Sequence, residues 1–343
     1  MSLQRRDDWI YQTLCRLVDP LKPAEGAIST QPSRSLMRRL LAIARVHGVL
    51  GIVVEKLHDL KPKFPDVWEV SQRSLHAQVA QSIRVRRHGQ KALASLSAAN
   101  VPAVLLKGVD FADALYPNAH LKPTFDVDVL VPRDRWDDAI IALENCGHVE
   151  KMNQAPMAYA AGLLGERSWI YPGPPVIEVD LHWNLIDLPS YRKQASIEYR
   201  DLEWLEGPNS TCPAGRLSPA SRLVIAAVHA TYHHQFETLR LLVDLLQAAR
   251  RLVDAAEITK VAEIADRTHT RVAIDMSLGV AARFLEDPAL ETVRHRIARS
   301  GTWKPVAIPE PLYDDARRNL FAIHSPLKSP SRLRVRQWLR DVS

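Results

Sequence analysis

Cysteine is scarce. Its three residues, Cys15, Cys146 and Cys212, stand far apart and form neither a CxxC pair nor a Cys/His ligand spacing. Neither a disulfide framework nor a zinc module is indicated, and the thiols read as ordinary core or surface groups. No apolar run approaches the roughly 20 residues that a membrane-spanning helix needs. The opening MSLQRRDDWI lacks the apolar core of a signal peptide, so the expected location is cytoplasmic, with no membrane partner. Internal repeats and low-complexity tracts are also lacking. So is the HExxH spacing of zinc hydrolases, which leaves little support for a histidine-based metallohydrolase.

What is there is the balance of a globular protein. Of 343 residues, 46% are hydrophobic and 24% charged, and a chain of this length is expected to fold as two or three units. The formal charge of +6 suits a phosphate-bearing ligand, because basic proteins attract polyanions. Basic clusters at Arg84, Arg86 and Arg87 and at Arg332, Arg334, Arg336 and Arg340 read as solvated helix faces.

The texture changes twice along the chain. Residues 1–99 read as a helical region, with apolar positions at helical spacing (Leu36, Leu40, Ile43, Val46, Leu50), a Pro-rich stretch near Pro20 to Pro32 and a break at KPKFPD. Residues 100–190 read as an α/β core. VPAVLLKG is a strand turning into a helix, TFDVDVLVP is a strand, RDRWDDAIIALENCG is a helix closing on Gly147, and RSWIYPG with PPVIEVDLHWNL form a hairpin. Residues 191–343 read as a helical domain, in which Ser218 or Ser221 caps a single long helix reaching Val253, followed by a Pro-rich tail beyond Gly301. Trp136, Trp169, Trp183 and Trp204 read as packing residues.

The chemistry concentrates in the central block. Side chains alternate along a strand, so Asp126 and Asp128 project to one side while Val127, Val129 and Val131 project to the other. In the later strand Glu178, Asp180 and His182 likewise oppose Ile177, Val179 and Leu181. Like charges this close repel and are costly to bury unless neutralised. A divalent cation does this, and oxygen donors suit Mg²⁺, or Mn²⁺, completed by substrate phosphates and water. Three carboxylates at one place permit in-line attack on phosphorus, with Asp180 as ligand and candidate base. His182 beside such a site reads as a group that orients a ligand carboxylate. Upstream, Lys107 and Gly108 stand at a strand-to-helix turn whose free N–H groups favour a triphosphate.

LLKGVDFADALYPNAHLKPTFDVDVLV followed by IEVDLHWNL resembles the uncharacterised nucleotidyltransferase family of the polymerase-β-like superfamily over roughly residues 100 to 250. The matching positions are Lys107 and Gly108, Tyr116 and Pro117, Lys122, Asp126 and Asp128, and Asp180 with His182. The resemblance implies an α+β fold, a small mixed sheet of polymerase-β type with helical flanking regions. It also implies Mg²⁺-dependent transfer of a nucleoside monophosphate from an NTP to a hydroxyl-type acceptor, releasing pyrophosphate, with Lys122 among the phosphate contacts. Two departures stand out: Lys-Gly replaces the superfamily's Gly-Ser turn, and Lys122 stands where the family usually has arginine, which loses a bidentate grip.

At 100° per residue His229, His233, Arg240 and Asp244 fall within about a 60° arc of one helix, whereas His234 points elsewhere. The family shows a similar stripe. It could line the acceptor side of the cleft or form an internal network docking the helical domain. The acceptor stays open among a small molecule, a protein hydroxyl and a tRNA end. The rival from another class is a catalytically silent nucleotide-binding protein of the same fold.

Overall fold

Ile10, Leu14 and Leu17 recur every three or four residues and are fully buried on one side of the first helix, α1 (Leu3–Leu17), in a computed structural model describing residues 3–28, 31–151, 164–206 and 215–308, with 310 and 313–314. The basic cluster Arg332 to Arg340, Cys212 and all but the start of the Pro-rich tail lie outside the described residues. Ser33 accepts from the Leu36 N–H and so caps α2 (Arg34–Val46), which α3 (Leu50–Lys56) follows. The KPKFPD break is a short 3₁₀ turn, after which Pro65 opens α4 (Pro65–Ala98), where its missing N–H is harmless.

Five strands form one mixed sheet in the order β1-β2-β5-β4-β3: β1 (Val104–Leu105), β2 (Val127–Leu130), β3 (Val149–Glu150), β4 (Glu166–Tyr171) and β5 (Ile177–His182). Among the described strands of this sheet only β2 and β5 run parallel; the other pairs are antiparallel. Between β1 and β2 lies α5 (Lys107–Ala114), and after β2 comes α6 (Trp136–Asn145). The apolar sheet face (Val127, Val129, Ile177, Val179, Leu181) packs on α4 and α6. On α4 the spacing of Val85, Gly89, Ala92 and Leu96 gives a smooth buried stripe. A Cβ at Gly89 would lie 3.3 Å from Leu105 and 3.4 Å from Val127, so glycine there lets helix and sheet approach closely.

The opposite sheet face meets the helices that follow. After a small ribbon, β6 (Trp204–Glu206) and β7 (Arg216–Leu217), come α7 (Pro219–Val228), α8 (Leu239–Arg250), α9 (Ala255–Thr268), α10 (Arg271–Phe284) and α11 (Pro288–Ser300). Ser218 is the α7 cap. Apolar side chains of α1–α3 and of α7–α11 merge into one continuous core that also takes Phe111, Leu115 and Leu130. Among the described residues no helix is long and apolar enough to cross a membrane.

The single long helix expected beyond Ser218 is not formed. After α7 the backbone widens into a π-helical turn (His229–His233) and then breaks, with Gln235 at φ 49° and Phe236 at φ 61°. The break drives Phe236 completely into the core. α8 then starts afresh, its Leu239 N–H donating to His47 Nδ1 and its Arg240 N–H to the His47 carbonyl. A cap supplied from a distant segment and a buried aromatic side chain outweigh continuous helical periodicity.

Candidate active site

The β2–β5 pairing places Asp128 directly opposite Asp180 in a parallel register. Paired positions of neighbouring strands share a face, and Asp126 lies two residues before Asp128, so all three carboxylates come to the face away from α4. The antiparallel β4–β5 register adds Ser168 opposite Asp180 and Glu166 opposite His182 on that face. A cleft of about 310 Å³ opens over them, its walls completed by Lys107, Gly108, His229, His233, His234 and Arg240.

Asp128 is the electrostatic centre, with 7% of its surface exposed. The Lys107 ammonium lies 2.8 Å from its Oδ1, and His182 Nε2 donates to the same oxygen across 3.1 Å. Burial alone would lift the Asp128 carboxyl, but Lys107 and His182 hold it far below the usual carboxylate range. Burial would likewise depress the Lys107 and His182 cations, and the facing carboxylates of Asp128 and Glu166 overcome it, raising both above their ordinary values. Glu166 Oε2 lies 3.2 Å from His182 Nδ1.

The other two carboxylates lack such cover. Burial and then the charge of Asp128 raise Asp126, and the same two causes lift Asp180 to about 7 although Ser168 Oγ donates to its Oδ1 at 2.6 Å. Two of three carboxyls are therefore held reluctant to ionise, a shortage of positive charge that fits an oxygen-ligated divalent cation. As they stand, no three carboxylate, imidazole or thiol groups among the described residues form a ready metal cage.

Lys107 opens α5 with φ 35°, a left-handed conformation that costs a non-glycine residue energy and recurs at functional sites. Next to it, a Cβ at Gly108 would come within 3.2 Å of Thr124 Cγ2, so the glycine lets the α5 start lie against the approach to β2. The first α5 turn has no side-chain cap, leaving its amides available.

The residues drawn as one helical stripe separate into two groups. His229, His233 and Arg240 line the cleft, and so does His234, which the helical wheel had turned away. The π turn is the reason, since it changes the angle between successive residues. His233 Nε2 lies 2.7 Å from the Leu185 carbonyl, which can only accept, so Nε2 carries the proton and Nδ1 keeps its lone pair. Burial, followed by the charge of Lys107, holds His229 well below the ordinary histidine value and His233 down to about 4, which favours the neutral imidazole in both.

Asp244 sits behind the cleft, where it accepts from Tyr116 Oη at 2.7 Å and from Lys122 Nζ at 2.8 Å, all three side chains buried. The Lys122 ammonium, which also borders the cleft, is thus paired with Asp244. Burial pulls it below its ordinary value even with that partner. This network ties the α5–β2 connection to α8. A second tie is the bidentate pair of Arg222 and Asp110, at 2.8 Å for both contacts, which locks α5 to α7. Sequence reasoning missed Glu166, Ser168, His234 and Phe125. Alternation along ERSWIY could have found the first two once the hairpin register was known, whereas the others depend on the π turn and on an exposed loop.

A family model described as uncharacterised nucleotidyltransferase matches residues 34–286. No curated protein matches the chain.

Proposed function

Because the chain belongs to the uncharacterised nucleotidyltransferase family, we propose that its mixed sheet is a polymerase-β-type core that transfers a nucleoside monophosphate from an NTP to a hydroxyl-bearing acceptor. The observation that carries this reading is the register of Asp128 against Asp180 with Asp126 on the same face. Asp126, Asp128 and Asp180 are the groups that would hold Mg²⁺, or Mn²⁺ in its place. Bound there, the ion supplies charge for the phosphates and lowers the pKa of the attacking hydroxyl.

The chain's own residues orient and exchange charge. The free amides at the α5 start and Gly108 give the phosphates a close backbone approach. Lys107, released from Asp128, turns to the triphosphate as a point charge. His182 keeps Asp128 ionised and aimed. The acceptor oxygen attacks the α-phosphorus, the bond to the β-phosphate breaks, pyrophosphate leaves and the hydroxyl proton passes to Asp180. The acceptor class stays open among small molecules, protein hydroxyls and tRNA ends.

A second reading, a silent nucleotide-binding protein, draws on the ammonium of Lys107 already seated on Asp128. Incubation of the protein with each α-labelled NTP, Mg²⁺ and cell extract separates the two. Transfer of label that Asp126→Asn abolishes is the expected result. Nucleotide binding without transfer to any fraction would favour the silent protein, and absence of NTP binding would remove both.

A further inference from the structure

Among the described residues three lysine and arginine side chains line the cleft, and two of them are already paired: Lys107 with Asp128 and Lys122 with Asp244. The third, Arg240, makes no close ion pair and no side-chain hydrogen bond among the described residues, although its charge acts on the Asp126 carboxyl and favours its ionised form. A guanidinium brought to a half-buried cleft with its N–H groups not hydrogen-bonded offers a planar fork of donors to an anion.

Two separate stretches of chain build its seat. Its backbone N–H donates to the His47 carbonyl at 3.2 Å, which fixes where α8 begins. Its stem then runs across Gly48, which sits at φ 68° and where a Cβ would meet Arg240 Cδ at 3.2 Å and Pro123 Cγ at 3.4 Å. The bare glycine backbone is therefore a cradle for the arginine methylenes. At the far end the guanidinium carbon lies 5.8 Å from the centre of the Phe125 ring, an aromatic side chain left 53% exposed at the cleft mouth. Such support lowers the entropy lost when the fork grips a ligand.

We propose that Arg240 is the phosphate receptor of the cleft, gripping the terminal phosphates of the nucleotide and taking the role that sequence reasoning had given to Lys122. Phosphate gives the planar fork two oxygens at once, a match that an ammonium cannot make. The assignment rests on the nucleotidyltransferase reading for the identity of the ligand, but not for the existence of an anion site. The same chemistry would serve a phosphate-bearing acceptor, and the choice of probes tells the two sources apart.

The test is calorimetric titration of the full chain and of Arg240→Met, Arg240→Lys and Gly48→Ala with inorganic tripolyphosphate, Mg²⁺·NTP and the matching nucleoside monophosphate, after thermal unfolding has verified folding. A charged hydrogen-bonding group lost from a binding site weakens affinity roughly ten- to hundredfold. Arg240→Met is expected to lose that much for tripolyphosphate and for the NTP, with the monophosphate little changed. Arg240→Lys is expected to recover only part of it. Gly48→Ala should weaken the same two ligands without removing any charge, because it displaces the arginine stem. A loss seen with tripolyphosphate but not with NTP assigns the receptor to the acceptor's phosphate. Equal tripolyphosphate and NTP affinities in wild type and Arg240→Met would overturn the proposal while leaving the nucleotidyltransferase reading intact. A wild type that binds tripolyphosphate but no NTP would keep the receptor and remove that reading.

Discussion

The Lys107 ammonium stands 2.8 Å from Asp128 Oδ1, a resident cation on the carboxylate proposed to hold a metal. Its backbone is held at φ 35° and its side chain is 12% exposed, so the ammonium sits close against that carboxylate. Lysine and metal ion then compete for one oxygen, and a phosphate that draws Lys107 away favours the metal.

Lys107→Ala is therefore expected to act in opposite directions on two ligands. Without nucleotide it should bind Mn²⁺ severalfold more tightly than wild type, and with nucleotide it should bind the NTP more weakly. Paramagnetic resonance titration of Mn²⁺ with and without NTP measures both. Unchanged Mn²⁺ affinity would mean that the lysine and the ion use different oxygens.

Asp180 supplies a pH test. Its carboxyl titrates near 7 when folded, against about 3.9 in an unfolded chain, so between those values the folded state holds the extra proton. Stability from this group is present at low pH and is lost as pH rises through about 7. Asp180→Asn should accordingly be more stable than wild type above pH 7 in metal-free buffer, and that advantage should shrink on acidification. Urea unfolding at pH 5 and pH 8 with a chelator present checks the sign, and an advantage that grows at pH 5 would contradict it.

Asp128 behaves oppositely, because its carboxyl is depressed by Lys107 and His182. Its stabilisation is present above the unfolded value and disappears as pH falls below it. Asp128→Asn leaves two buried cations short of a partner, a loss that typically costs about 3–5 kcal/mol. Measured against Asp180→Asn in the same metal-free buffer at pH 8, the two substitutions should move stability in opposite directions. A shift of the same sign in both would dismiss the charge arrangement drawn for this cleft.

The buried network behind the cleft predicts a structural phenotype. Asp244→Ala strands Lys122 and should cost about 3–5 kcal/mol, whereas Tyr116→Phe removes one hydrogen bond to a charged acceptor and should cost about 1.5–3 kcal/mol. Neither touches the nucleotide, so Tyr116→Phe should keep NTP affinity within about twofold. A large fall in affinity with unchanged stability would move Tyr116 into the binding site.

Alternation along two strands is readable without a structure, because side chains two residues apart must share a face. Asp126 with Asp128, and Asp180 with His182, were therefore legible as facing pairs, as were the helical first hundred residues and the helices flanking the sheet. Helix continuity was not. HATYHHQFETLRLL keeps an apolar period through the π turn and the break at Gln235 and Phe236, since the burial of Phe236 and the cap from His47 come from outside that segment.

What the sequence by itself determined is the local chemistry: which residues alternate, where glycine and proline punctuate the chain, and which carboxylates, basic groups and imidazoles recur at strand or helix spacing. Tertiary structure alone decided how charges are shared. Lys122 went to Asp244, Lys107 to Asp128, and Arg240 was left with an open fork over Gly48. The reason is that periodicity encodes the face on which a side chain lies, whereas an ion pair joins residues as far apart as the 122 positions between Lys122 and Asp244. That distance closes only when the sheet and two sets of helices pack into their shared core.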